Sequence, residues 1–222
     1  MNAVQKLART YEHIRPEEVG NKQYILVSEL SGQSNILIKA EQMGLPLEKG
    51  SAEALGILED VKSLEQEGYS FEAAGGSLEL LIRKKVGTCE RPWSLNEYHC
   101  SFRQYRDGHN PVCEATVKLT VGAEETYTVA EGHGVVNALD KALRKALVSF
   151  FPEIENVSLV DYKVRIIDTG EATAAKTRVL IAHTDGDSTW GTVGVSDSII
   201  EASWIALTDG IDLYLQRKGC KS

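Results

Sequence analysis

Residues 100–211 carry one supersecondary pattern written twice, and that duplication limits the possible folds more than any single motif in the chain. Set 62 residues apart, Phe102 meets Val164, Gly108 meets Gly170, Val117 meets Val179 and Leu119 meets Ile181. Set 64 apart, Val135-Val136 meets Ile199-Ile200, Ala138 meets Ala202, and Ala142-Leu143 meets Ala206-Leu207. A two-residue change in a loop accounts for the two offsets. A module that cannot close its core alone stacks on its copy, so the units should share a seam. Such a seam offers a place for a ligand or a second chain.

Each unit reads as three strands and a helix. In the first, residues 100–105, 114–121 and 125–130 are β-rich, with turns at Asp107-Gly108 and Gly122-Ala123. Residues 135–150 then place Val135, Leu139, Ala142, Leu143, Ala146 and Phe150 on one helical stripe. The second unit repeats the order at 161–167, 177–183 and 189–193, with a helix from 199 to about 215. Ser198-Ile-Ile-Glu201 has the spacing of a capping box for that helix. The expected fold class is α+β: two tandem β-β-β-α units preceded by small, mainly helical subdomains.

The upstream part differs in character. Residues 2–9 read as the tail of a helix rather than a natural start, and residues 24–28 are β-rich. Residues 35–43 space Ile36, Leu37, Ala40 and Met43 as a helix, which Gly44 ends. Ser51 can cap a helix with Leu55, Leu58, Val61 and Leu64 on its face, stopped by Gly68. Another short helix is expected from Tyr69 through Arg83. This segment has little core of its own. Residues 87–96, with Pro92, read as a connector that Trp93 pins to a neighbour.

Composition excludes several function classes. The formal net charge is −8 with no basic block, so a nucleic-acid partner is not expected. The apolar runs are too short to span a bilayer, and no signal peptide is visible, so a cytoplasmic location is expected. Cys89, Cys100, Cys113 and Cys220 show no C-x-x-C spacing; their even count allows a disulfide framework, but they read more readily as reduced thiols.

Three stretches carry candidate chemistry. Gly132-His133-Gly134 leads into the first unit's helix, where orphan N–H groups favour an anion such as a carboxylate; taken alone, the triplet is more simply an ordinary turn and cap. Tyr162, Val164 and Ile166 share a strand face, either as core beneath a helix or as the wall of an apolar pocket. Leu159 is out of phase with them and would enter from the loop before the strand. His183-Thr-Asp185-Gly-Asp187 clusters an imidazole with two carboxylates, but turn chemistry accounts for it more simply than a metal. No catalytic constellation and no metal site is visible.

Longer strings bring in a family resemblance. Thr10-Tyr-Glu-His-Ile-Arg-Pro-Glu-Glu-Val-Gly-Asn21 and Leu26-Val-Ser-Glu-Leu-Ser-Gly32 resemble the segment after the barrel in the 2-isopropylmalate, citramalate and homocitrate synthase family. Asp161-Tyr-Lys-Val-Arg-Ile-Ile167, Ala174-Ala-Lys-Thr-Arg-Val179 and Gly194-Val-Ser-Asp-Ser-Ile-Ile-Glu-Ala-Ser-Trp204 resemble its C-terminal regulatory domain. Ala130-Glu-Gly-His-Gly-Val-Val-Asn-Ala-Leu139 resembles its glycine motif, which in the family commonly reads Gly-Asn-Gly-Pro. The match points most closely to the citramalate-synthase branch.

The resemblance implies a parent enzyme that condenses acetyl-CoA with a 2-oxo acid (pyruvate or 2-oxoisovalerate) on a divalent-metal (β/α)₈ barrel. A barrel of about 250 residues has no room here, so the chain reads as an inactive C-terminal fragment without cofactor. It implies a linker subdomain at 1–48, a small helical subdomain and connector at 49–96, and a regulatory domain at 97–222 with units at about 97–152 and 157–216. It further implies a homodimer, attached to the catalytic barrel, that binds isoleucine or leucine as feedback inhibitor. Carried over by motif, the effector's neighbours are Gly132, Gly134, Val136 and Asn137, with Leu159, Tyr162 and Ile166 opposite and Thr173, Ala175 and Val195 closing the apolar end.

Overall fold

The computed structural model describes residues 33–45, 47–88, 90–106, 110–167 and 175–219. The readings at 2–9, 24–28, Asp107-Gly108, Cys89, Cys220 and Thr173 lie outside these residues.

Three helices come first: α1 (Gln33–Gln42), α2 (Ala52–Glu67) and α3 (Gly75–Lys85). The first βββα unit is β1 (Trp93–Arg103), β2 (Val112–Val121), β3 (Glu124–Gly132) and α4 (Val135–Leu147). A 3₁₀ turn (Pro152–Asn156) leads to the second unit: β4 (Ser158–Ile166), β5 (Thr177–Thr184), β6 (Thr189–Ser196) and α5 (Ile199–Lys218). Each unit is a three-stranded antiparallel meander, in the orders β1-β2-β3 and β4-β5-β6.

The register corrects the duplication. Tyr98 pairs with Val117 and Val117 with Thr128, whereas Tyr162 pairs with Ile181 and Ile181 with Thr192. All these partners stand 64 apart, and each first strand breaks register at the same place, Leu95/Glu97 and Leu159/Asp161. One offset therefore runs through strands and helix alike. The apparent 62-residue match arose because a shift of two preserves strand alternation, so apolar residues still meet apolar residues.

The core follows that alternation. On β2, Cys113, Ala115, Val117, Leu119 and Val121 are buried against Ala138, Leu139, Ala142, Leu143, Ala146 and Leu147 of α4. On β5, Val179 and Ile181 meet Ala202, Ala206 and Leu207 of α5. Helix α5 also supplies Trp204, Ile211 and Leu215 to the first unit's core. The Trp204 ring stacks on Tyr98 at 5.0 Å and meets Trp93 edge-on at 6.2 Å. It is thus a beam shared by both units, buried almost all round.

Helices α1 to α3 do have a core, with Ile36, Ala40, Ile57, Val61, Phe71, Ala74, Leu78 and Ile82, but Val193 of β6 completes it. The edge of β6 is sealed by α3. Ser77 Oγ accepts the Val193 N–H at 3.0 Å and donates to Asp209 Oδ2 at 3.0 Å. A Cβ on Gly76 would lie 2.7 Å from the Gly191 carbonyl, and one on Gly191 would lie 1.9 Å from that of Ala73, so both positions exclude larger residues.

Three sequence expectations need correction. Helix α3 starts at Gly75 rather than Tyr69, because Arg178 donates to the Gly68 and Tyr69 carbonyls that an earlier helix would use. The buried stripe of α2 is Ala54, Ile57 and Val61, which leaves Leu55 exposed. Strand β1 begins at Trp93, inside the expected connector, since Trp93 is buried and its indole N–H donates to Asp212 at 2.9 Å. The caps at Ser51, Gly68 and Gly44 form as read. At Ser198 only half the box forms: its hydroxyl accepts the Glu201 N–H at 3.4 Å, while the Glu201 carboxylate takes Ser196 Oγ at 2.6 Å.

Candidate functional site

Helix α4 starts without a side-chain cap. Gly134 is the N-cap in extended conformation, and its carbonyl accepts the Ala138 N–H at 2.9 Å. Gly132 just before it leaves no room for a side chain, since a Cβ would sit 2.4 Å from the Ala138 nitrogen. The first-turn amides have no partner within the helix, and Asn137 Oδ1 folds back to accept the His133 N–H at 3.2 Å. This end of α4 therefore carries the partial positive charge of a helix start.

Facing α4 across a cleft of about 720 Å³ are the 3₁₀ turn and the first half of β4. The α4 wall presents Val136, Asn137, Asp140 and Arg144; the opposite wall presents Ile154, Val157, Leu159 and Tyr162. Leu159 reaches this wall through the β4 bulge. The extra residue rephases the strand, so that Leu159 pairs with His183 and Tyr162 with Ile181 on one sheet face. Leu159 thus belongs to β4 and does not enter from a loop.

The apolar part of the cleft is continuous with the core between the units. Val136, Leu159 and Tyr162 all pack on the cluster of Val179, Ile181, Ala202, Ala206 and Leu207. Tyr162 is fixed at its polar tip: Ser203 Oγ donates to the Ile199 carbonyl at 2.6 Å, leaving it to accept the Tyr162 hydroxyl at 2.8 Å. The polar part is charge-balanced, with Asp140 and Glu155 against Arg144 and Lys145. Arg144 is engaged on three sides, donating through Nε to Asp140 Oδ1 at 2.9 Å and through Nη1 to the carbonyls of Val157 at 2.6 Å and Ile154 at 3.3 Å. A small zwitterion with an aliphatic body matches this mixture of helix start, balanced charge and apolar floor.

Of the residues singled out from sequence, Val136, Asn137, Leu159 and Tyr162 come together on the cleft. Gly132 and Gly134 shape the start of the helix that bounds it without lining it. Ile166 stands 63% exposed at the far end of β4. Val195 packs with the helical segment's core, and Ala175 is buried just before β5. Sequence reading missed Asp140, Arg144, Ile154 and Val157. The i, i+4 spacing of Asp140 and Arg144, continuing the face of Val136 and Asn137, was the available signal.

A second cavity of about 460 Å³ lies where α2 and α3 meet α5, lined by Leu64, Phe71, Lys84, Arg91, Asp209 and Asp212 among others. Burial pushes the Asp209 carboxyl up to about 6, against the Ser77 hydroxyl bond, and Asp212 up to about 7, against Arg91. Asp212 accepts Arg91 Nε at 2.5 Å and the Trp93 indole N–H.

His183 is packed into the core. It is fully buried, stacks on Trp190 at 5.9 Å and contacts Thr192 Oγ1 at 3.2 Å; burial first, then the Arg144 charge, lowers its pKa to about 4. Asp185 instead organises its turn, accepting the Ser188 N–H at 2.8 Å and the Asp187 N–H at 3.2 Å. Among the described residues no three His, Cys, Asp or Glu side chains converge as a metal site, and no helix is long and apolar enough to cross a membrane.

Comparison with known proteins fits this geometry. Residues 72–215 match the family model of the LeuA allosteric (dimerisation) domain, and residues 1–68 match that of the homocitrate synthase post-HMGL domain-like family. The chain is 49% identical over 216 residues to an (R)-citramalate synthase of Aquifex aeolicus, covering 97% of this chain and 41% of the relative. With that of Geobacter sulfurreducens it shares 45% identity, over 98% of this chain and 41% of the relative. A 2-isopropylmalate synthase of Aquifex aeolicus is 30% identical, over 94% of this chain and 38% of the relative. The chain therefore spans about two fifths of the length of these curated relatives. With its paired βββα units and the drop in identity from citramalate to isopropylmalate synthases, the chain belongs to the LeuA allosteric (dimerisation) domain family, on its citramalate-synthase side.

Proposed function

We propose that this chain is the regulatory part of a longer acyltransferase, and that the cleft between its units binds a branched-chain amino acid as feedback effector. The cleft geometry carries this reading: an uncapped helix start suits the effector carboxylate, and Val136, Leu159 and Tyr162 suit an aliphatic side chain. Burying such a side chain contributes about 1.5–3 kcal/mol. Isoleucine is the first candidate and leucine the second, because identity is higher to citramalate synthases than to 2-isopropylmalate synthases. The longer enzyme condenses acetyl-CoA with a 2-oxo acid (pyruvate, or 2-oxoisovalerate as runner-up) on a metal-dependent barrel outside these residues, in the cytoplasm.

The test is calorimetric titration of the chain with isoleucine, leucine and valine, paired with thermal unfolding. A ligand at 100 times its Kd adds about 2.7 kcal/mol to the folded state, so the unfolding temperature should rise by several degrees. No heat and no shift at millimolar concentration would remove the effector.

A second reading rests on the first sheet's outer face, where Tyr127 is 60% and Val129 40% exposed. In that reading the chain is a dimerisation domain with no effector response. Sedimentation equilibrium giving a dimer, together with a silent titration, would select it.

A further inference from the structure

We propose that Arg144 is a positioning residue that sets the width of the cleft and thereby selects the size of the side chain it admits; this rests on the effector reading above. Its side chain starts on one wall and ends on the other. The backbone of Arg144 belongs to α4, while its Nη1 holds the carbonyls of Ile154 and Val157, at 3.3 and 2.6 Å. Asp140, one turn earlier, receives Nε at 2.9 Å and fixes the guanidinium plane. The separation of the two walls is therefore tied to the reach of one arginine side chain, and changing it breaks bonds to two carbonyls.

Two observations argue that the strut does more than hold the crossover. Ile154 and Val157 are already buried by their own side chains, so the turn is anchored without a guanidinium. The duplicated unit, moreover, dispenses with the device. Applying the 64-residue offset fixed by the strand register, Arg144 corresponds to Thr208 and Asp140 to Trp204. Thr208 donates to Ile205 in its own helix, and Trp204 fills the core. The two copies share their register break and helix yet diverge at the residues that span this cleft. Only the first helix fronts the cleft, and only it carries the strut.

The experiment titrates the chain, and its Arg144→Met, Arg144→Lys and Asp140→Asn variants, with valine, isoleucine, leucine, methionine and phenylalanine. Thermal unfolding identifies which variants are folded. In Arg144→Met we expect affinity for the best branched ligand to fall at least tenfold while that for phenylalanine changes less than threefold, so that selectivity collapses. Arg144→Lys, which reaches one carbonyl at most, should fall between, and Asp140→Asn should lower the selectivity ratio about threefold. A pin that merely stabilises the fold would lower the unfolding temperature and leave that ratio unchanged; a ratio constant within twofold in folded variants overturns the proposal. If Arg144→Met does not fold, Arg144→Lys and Asp140→Asn decide by the same criterion. A wild-type chain that binds none of the five removes the effector reading and this proposal with it. A wild type that binds, beside variants that keep its selectivity, removes only this one.

Discussion

The two βββα units have the same register, the same bulge and helices that begin at matched positions, yet they carry different burdens. Helix α4 is apolar on one face and polar on the other; α5 lies between the second sheet, the first unit's core and α3, and is buried almost all round. The contrast continues at matched positions. Val129 is 40% exposed on the first sheet's outer face, whereas Val193 is fully buried beneath the helical segment. Leu119 is an ordinary core residue, whereas its counterpart His183 is a buried imidazole. Lys145 and Val148 on α4 correspond to Asp209 and Asp212 on α5. A module's place in the assembly, rather than its own architecture, decides which of its positions take perturbed polar groups.

Matched substitutions can break that comparison. The largest effect is expected in the helices. Leu143→Ala and Leu207→Ala remove fully buried leucines at equivalent points, each costing about 2–5 kcal/mol. Leu207 should cost more, because α5 packs on several sides; equal losses in urea unfolding would deny α5 its special role.

Next comes pH. The native chain keeps His183 neutral down to about 4, whereas the unfolded chain protonates it from about 6.5. The depressed value means stability lost as pH falls from about 6.5 to 4, by up to about 3 kcal/mol. His183→Leu, the residue found at position 119, should abolish that acid-side slope. Asp209 works in the opposite sense. Its carboxyl, raised to about 6, holds a proton that the unfolded chain has released, so stability falls as pH rises from about 4 through 6. Asp209→Asn should make that decline shallower, leaving the part due to Asp212, whose carboxyl is raised to about 7. Urea unfolding of the three proteins at several values from pH 4 to 7 separates the two slopes; unchanged slopes would remove both groups from the account.

The smallest effects fall on the outer faces. Val193→Ala should cost about 1–3 kcal/mol and Val129→Ala less than about 0.5 kcal/mol. A comparable loss at Val129 would mean that something covers this face in solution, which sedimentation at several concentrations would expose.

Much of the architecture was legible because local chemistry and tertiary packing agree. The alternation of β2 and β5, the glycine stop at Gly68 and the Ser51 cap each follow from residue type and spacing. Helix α3 was misplaced because its start is set by Arg178, a residue more than a hundred positions away. The 62-residue offset misled because strand periodicity repeats every two residues, so hydrophobicity alone fixes register only to within an even number. At the cleft, the helix start and the bulky strand residues were visible. The bulge that brings Leu159 into line was not, since a bulge is a pairing feature and pairing cannot be read from one strand. The bridging role of Arg144 was not legible for a similar reason: the carbonyls it binds carry no sequence signature.

Where α3 crosses the last strand, glycine faces carbonyl at Gly76 and Gly191, so closely that even a methyl group has no space. Contact of that kind tolerates neither sliding nor tilting. The linker helices and the second unit therefore pack as a single block, and the first unit is joined to that block by α5 and by the Arg144 bridge from α4 to the crossover.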